Sequence, residues 1–262
     1  MSKHTEEWAL VLGASSGFGA ACARELARRG MHILGVHLDR KATLPQAQAV
    51  LQDVEATGRR ALFVNGNAAD PQLRSQVTDT LRRELPRGRH LRVLVHSLAF
   101  GSLRPLVASP GEEVTPAQLD MTLTVMAHSL IYWTQDLAHL DLLGPGSRIF
   151  AMTSSGGTRV LPSYGPVSAA KAALESHVRQ LALELAPRDV AVNALRAGVT
   201  DTPALRKIPG HDRLIAQAQA RNPGGRLTTP EDVARAVAVL ADLGSWVTGN
   251  VIGVDGGEDI VG

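Results

Sequence analysis

Gly13, Gly17 and Gly19 follow directly on the apolar run Trp8-Ala9-Leu10-Val11-Leu12 and open a helical pattern. A strand–turn–helix junction of this kind suits a pyrophosphate, because the chain must turn sharply and present backbone N–H groups at a helix N-terminus. Gly13 is expected to take the positive-φ turn, Gly17 to let the ligand approach and Gly19 to let helix pack on strand, with Ser15, Ser16 and Phe18 between them. The second chemical signal is a tyrosine. The chain has only two, Tyr132 and Tyr164, and Tyr164 stands seven positions ahead of Lys171, with six residues between them. At about 3.6 residues per turn, a separation of seven returns to nearly the same helix face as a separation of four, with roughly 4–5 Å more rise. Pro166 suits a first helical turn, which puts Tyr164 just ahead of the helix with its hydroxyl projecting away from the lysine. A phenol so placed can donate to an oxygen that gains negative charge, and a nearby ammonium favours its ionised form. Tyr132, amid Leu130-Ile131-Tyr132-Trp133, reads as packing in the core or at a subunit interface.

The elements that must position these groups alternate along the chain. Strands are expected at residues 8–12, 32–37, 61–64, 91–96, 148–152, 190–194 and 250–254. Between them helical patterns cover 17–29, 43–57, 71–85, 116–142, 166–187 and 230–243, while 203–225 looks irregular with one helical stretch. Strands separated by helices of this length imply βαβ units, hence a doubly wound, mostly parallel sheet with helices on both faces. The continuous apolar strands agree, since central parallel strands are covered on both sides. No linker, repeat or low-complexity stretch divides the chain, so residues 1–262 read as one domain.

Composition narrows the classes. The 262 residues are 44% hydrophobic and 20% charged, which argues against disorder. Cys22 is the only cysteine, so no internal disulfide is expected. The net charge of +2 is dispersed and aromatics make up only 3%, which argues against a nucleic-acid surface. The nine histidines show no metal-ligand spacing with cysteine or carboxylates, so no catalytic metal is expected. The N-terminus lacks an apolar signal region, and no run approaches the roughly 18 apolar residues of a membrane span. A cytoplasmic protein without a membrane partner is the expectation.

The glycine spacing resembles that of the short-chain dehydrogenase/reductase family, and the resemblance extends along nearly the whole chain. Asn67-Ala68 matches the family's adenine contact. His96-Ser97-Leu98-Ala99 falls where most members carry Asn-Asn-Ala-Gly. Gly198, Val199, Thr200 and Thr202 match the segment that holds the nicotinamide carboxamide, and Val254-Asp255-Gly256-Gly257 matches the C-terminal motif. The resemblance implies a Rossmann-type fold and a nicotinamide cofactor. At the end of the second strand His37 fills the usual acidic position. Arg40 and Lys41 suit a 2′-phosphate, whereas Asp39 competes for the ribose and Ser16 replaces an arginine common in NADP-dependent relatives. The balance favours NADPH, with NADH open.

Most members of the family separate tyrosine and lysine by three residues. The longer spacing here resembles the enoyl-acyl-carrier-protein reductases. His96-Ser97-Leu98-Ala99-Phe100 is similar to that branch's His-Ser-Ile-Ala-Phe, and Met126 stands where ketone-reducing members carry asparagine. The stretch from Ser154 to Tyr164 resembles an NADPH-dependent sub-branch with serines in place of an upstream tyrosine. This resemblance implies reduction of the double bond of a trans-2-enoyl thioester, carried by acyl carrier protein or coenzyme A. Tyr164 would donate to the enolate oxygen. Lys171 would hold the nicotinamide ribose, and Ser154, with Ser155 as rival, would give a second polar contact. Residues 202–225 would form a substrate lid whose Leu205, Ile208 and Leu214 suit an acyl chain, and His128 reads as structural. A homotetramer assembled through 116–142 and 166–186 is also implied. A ketoreductase, a non-catalytic dinucleotide sensor and a natural-product reductase with an altered substrate remain alternatives.

Overall fold

The computed structural model describes residues 6–261. Seven strands, β1 (Trp8–Leu12), β2 (His32–His37), β3 (Ala61–Asn65), β4 (Val93–His96), β5 (Arg148–Ser154), β6 (Ala191–Ala197) and β7 (Val251–Val254), form one sheet. Their order is β3-β2-β1-β4-β5-β6-β7 and every pairing is parallel. The order reverses between β1 and β4, where Leu12 lies in register with His96. In such sheets the crevice at the carboxyl ends of the strands beside this reversal is the ligand site.

Alternation along the strands sends side chains to opposite faces. Leu10, Leu34, Leu94 and Ile149 pack with Trp133, Leu137, Leu174 and Val178 of α5 (Ser129–His139) and α6 (Gly165–Leu185). Val11, Ile33, Val95 and Phe150 face α1 (Gly17–Arg28), α2 (Leu44–Glu55) and α8 (Pro230–Asp242). α3 (Pro71–Glu84) completes the first layer, and α1 packs along α8 in the second. Helix boundaries follow local chemistry. Pro71 and Pro230 occupy first turns, Asp70 and Thr229 cap them, and Gly30 at φ +103° closes α1. Among the described residues no helix is long and apolar enough to cross a membrane.

One segment departs from the expected pattern. The single helix over 116–142 is instead α4 (Pro116–Leu123), a π-helical turn at Thr124–His128 and α5, which ends at His139. Apolar periodicity does not register one extra residue in one turn, so the break was not legible. The segment 203–225 contains a short 3₁₀ turn at Leu205–Lys207 and then α7 (His211–Arg221).

Trp133 links core and site. It is fully buried, and its indole N–H donates to the carbonyl of Ala68 (2.8 Å), just beyond β3. Trp133→Phe keeps most of the apolar volume but leaves that carbonyl unpaired. The expected loss is about 1–3 kcal/mol of unfolding free energy, read from urea denaturation. An unchanged midpoint would show that the bond contributes nothing.

Candidate active site

The glycine turn is built by contacts that exclude side chains. A Cβ on Gly13 would lie 2.3 Å from the Ser97 carbonyl oxygen, and one on Gly19 would lie 2.1 Å from the Gly13 carbonyl oxygen. The turn is pinned to β2 by the N–H groups of Gly13 and Ala14, which donate to Val36 O at 2.8 and 3.0 Å. Ser16 is the N-cap of α1, makes no side-chain cap bond, and no acidic residue occupies the first turn. Within α1 itself no side chain caps or neutralises this helix end, which leaves it open to an anion. Gly17, at φ +52°, faces the Thr202 methyl, which brings the segment after β6 against the turn. Phe18 packs on the α1-side core.

At the end of β2, His37 is buried and donates its Nδ1–H to Asp39 (2.8 Å). Asn65 grips the Asp39 backbone on both sides, accepting from its N–H and donating to its carbonyl, each at 3.0 Å. Burial alone would raise the Asp39 carboxyl, but hydrogen bonds from Thr43, Ser15 and His37 outweigh it and hold the group below its ordinary range. The Asp39 carboxylate thus sits against Ser15 of the glycine turn, while Arg40 and Lys41 are exposed. Sequence reasoning left Asp39 as a competitor and missed Asn65, whose role needs strand β3 beside β2.

Tyr164 is the N-cap of α6, half-buried just ahead of the helix, with its ring against Gly156. Burial raises the phenol and the nearby Ser154 hydroxyl partly opposes this. Ser154 Oγ is itself buried with no hydrogen bond of good geometry among the described residues. A ligand oxygen between these hydroxyls would satisfy both. Lys171 lies on the same helix, buried, with Nζ donating to Met152 O at 2.7 Å. Burial pushes its ammonium down to about 8, against the pull of Glu175.

His96 ends β4 beneath this pair. Ser129 donates to Val125 O (2.7 Å) and so accepts from His96 Nε2 (2.8 Å). Burial, then the charge of Lys171, pulls His96 down to about 3, so the ring is neutral near Lys171. Its Nδ1 is buried without a partner among the described residues. The π-turn holds Met126, whose sulfur lies 2.9 Å from where a Cβ on Gly101 would sit. An apolar side chain fills this wall. π-turns recur at functional sites, and here one separates the helix that packs on the crevice from the helix that packs on the sheet.

The remaining expected residues lie around the same crevice. Asn67 turns back on its own backbone, accepting from Ala69 N (3.0 Å), beside buried Ala68. Leu98 borders Gly13, while Ala99 is exposed. Thr200 donates to Gly198 O (2.9 Å). The Val199 N–H donates to Glu258 (2.9 Å). Of the residues set aside, His128 pairs with His177 (3.0 Å), and Tyr132 lies half-buried beneath the Arg74 guanidinium, 5.3 Å from the ring centre. The tyrosine, lysine and serine thus share one crevice with the glycine turn and the segment after β6. The donor set, the uncapped helix end and a turn with no Cβ at Gly13, Gly17 or Gly19 fit a dinucleotide.

Comparison with known proteins agrees. The family profile described as "Enoyl-(Acyl carrier protein) reductase" matches residues 13–258. The chain is 30% identical over 259 residues to 1-cyclohexenylcarbonyl-CoA reductase of Streptomyces collinus, covering 96% of this chain and 86% of that one. It is 32% identical to cis-4-hydroxycyclohexanecarboxylate dehydrogenase of Sinomonas cyclohexanicum, covering 98% of each. A short chain dehydrogenase of Burkholderia cenocepacia, solved in complex with NADP, superposes with a TM-score of 0.81 at 30% identity, over 97% of this chain and 98% of that one. The chain belongs to the short-chain dehydrogenase/reductase family, as a nicotinamide-dependent oxidoreductase whose relatives include the enoyl reductases.

Proposed function

We propose that this protein reduces the carbon–carbon double bond of a trans-2-enoyl thioester. The observation that carries this reading is the pair formed by Tyr164 at the N-cap of α6 and the buried Lys171 seven positions on. Met126 in the wall supports it, because an apolar side chain there removes the asparagine that the ketone-reducing reading requires. A bound reduced nicotinamide supplies the hydride. Tyr164 holds the thioester oxygen and donates to it as negative charge develops, with Ser154 at the same locus. Lys171, cationic below about 8, holds the ribose side of the cofactor and favours charge on the phenol. The half-buried Leu205, Ile208 and Leu214 of the 202–225 lid, with Leu106 packed beside Tyr164 at Gly165, give the acyl chain an apolar wall. The carrier is acyl carrier protein or coenzyme A, and the active form is a cytoplasmic homotetramer.

For the dinucleotide, Arg40 and Lys41 support NADPH, as does the NADP bound by the Burkholderia relative. The Asp39 carboxylate weighs the other way. Held ionised against Ser15, it offers an acceptor to a 2′-hydroxyl and repels a 2′-phosphate. We therefore place NADH first, with NADPH as the competing cofactor.

Purified protein should oxidise reduced dinucleotide when given crotonyl-CoA or a crotonyl carrier-protein thioester, and Tyr164→Phe should lower kcat about 100- to 1000-fold. Turnover of acetoacetyl thioesters without turnover of enoyl thioesters would overturn the reading. The rate should fall as pH rises through about 8, because Lys171 then loses its charge; a flat profile between pH 7 and 9 would remove the ammonium from the chemistry. Asp39→Ala should shift the ratio of kcat/KM for NADH over NADPH toward NADPH by about tenfold. No shift would leave Arg40 and Lys41 as the selecting groups.

A further inference from the structure

The end of the chain makes contacts that neither the glycine turn nor the tyrosine–lysine pair explains. Residues 255–259 form a tight coil with Gly256 and Gly257 at φ +63° and +86° and with Asp255 accepting from the N–H groups of Gly257 and Asp259. From this coil two carboxylates reach separate parts of the site. Glu258, only 3% exposed, accepts from Val199 N–H with one oxygen (2.9 Å) and from the Arg221 guanidinium with the other (3.2 Å). Asp259 pairs with Arg159 (2.8 Å), in the loop before Tyr164, and with Arg196 (3.2 Å) on β6. Asn222, next to Arg221, donates to Asp255 O (2.7 Å).

The approach at Glu258 is close enough to constrain sequence. A Cβ on Gly198 would lie 2.8 Å from the Glu258 carboxylate and 2.5 Å from Thr228 Oγ. A buried carboxylate is costly unless its lone pairs are met by charge and donors, and here one donor comes from each of two segments. One is the segment after β6 that packs on the glycine turn through Thr202. The other is the last turn of α7. Losing either donor leaves the carboxylate less well compensated and weakens its case for remaining buried, so the placements of the two segments are coupled.

We propose that Glu258 is a positioning residue that couples the nicotinamide side of the cofactor site to α7. Through it, order in segment 198–202 is transmitted to the lid, and Asp259 carries the same tie to the loop before Tyr164. This rests on the reading of 198–202 as the nicotinamide segment and of α7 as part of the lid.

The test compares affinities by calorimetry for NADH and NADPH, each against its nicotinamide-free fragment, ADP-ribose or 2′-phospho-ADP-ribose. Glu258→Ala should weaken binding of the full dinucleotide about tenfold, the scale of one hydrogen bond to a charged group. Binding of the fragment, which does not reach segment 198–202, should stay within about twofold. Equal weakening of both ligands, or no change in either with only a lower Tm, would make Glu258 merely structural and overturn the proposal. Glu258→Gln keeps an acceptor for Val199 and loses the ionic hold on Arg221. It should raise the enoyl-thioester KM several-fold with dinucleotide affinity unchanged. Arg221→Gln should do the same, and the double variant should add nothing; additive effects would show the pair is uncoupled. This second pair of variants decides the matter if Glu258→Ala does not fold. A protein that reduces no enoyl thioester would refute the proposed function, while the dinucleotide-against-fragment comparison would still judge Glu258.

Discussion

Everything in the site hangs on a place where two backbones touch with nothing between them. Gly13 lies so close to the carbonyl of Ser97, and Gly19 to that of Gly13, that neither position has room for a single carbon. This contact joins the end of β1 to the end of β4, the one point where the sheet order reverses, and it fixes the axis of α1 relative to both strands. The crevice, the uncapped end of α1 and the position of Thr202 follow from it. A side chain at either glycine would push apart strands whose own pairing is set by the apolar packing on both faces.

Around that seam the charged groups are arranged by burial more than by pairing. Lys171 is buried with a backbone carbonyl as its hydrogen-bond partner, and the ring beneath it, His96, is neutral. Desolvation weakens the lysine's hold on its proton while leaving its field poorly screened, so its charge acts strongly on whatever ionises nearby. The opposite arrangement holds at the end of β2, where Asp39 keeps its charge because hydroxyls, an imidazole and the Asn65 amide fix it in place. One end of the crevice thus holds a charge that burial weakens and the other a charge that hydrogen bonds secure.

How much of this was legible in the sequence depended on whether the signal was local. Glycines and prolines marked the ends of α1, α3, α6 and α8 to within a residue or two, because turn and cap chemistry is written in adjacent positions. The Tyr164–Lys171 spacing was legible for the same reason. Asp39 was half-legible: its type was visible, but its fixation by Asn65 depends on strands brought side by side from 26 residues away. Glu258 was not legible at all, since Val199 and Arg221 lie 59 and 37 residues before it and no spacing rule connects them. Val199, expected to contact the cofactor through the family pattern, has its N–H committed within the chain.

The π-turn at Thr124–His128 has a further meaning. One surplus residue rotates everything after it by about 100° relative to an unbroken helix. α4 and α5 are therefore a single rod with two phases. Its first part, around Thr122, braces the loop that carries Gly101 and Ser102, whereas its second part turns Trp133 and Leu137 down onto the sheet. A straight helix of the same length presents one stripe and serves one neighbour. The offset lets one element act as a floor for the fold and a wall for the crevice, with Ser129 and its bond to His96 at the joint where the two duties meet.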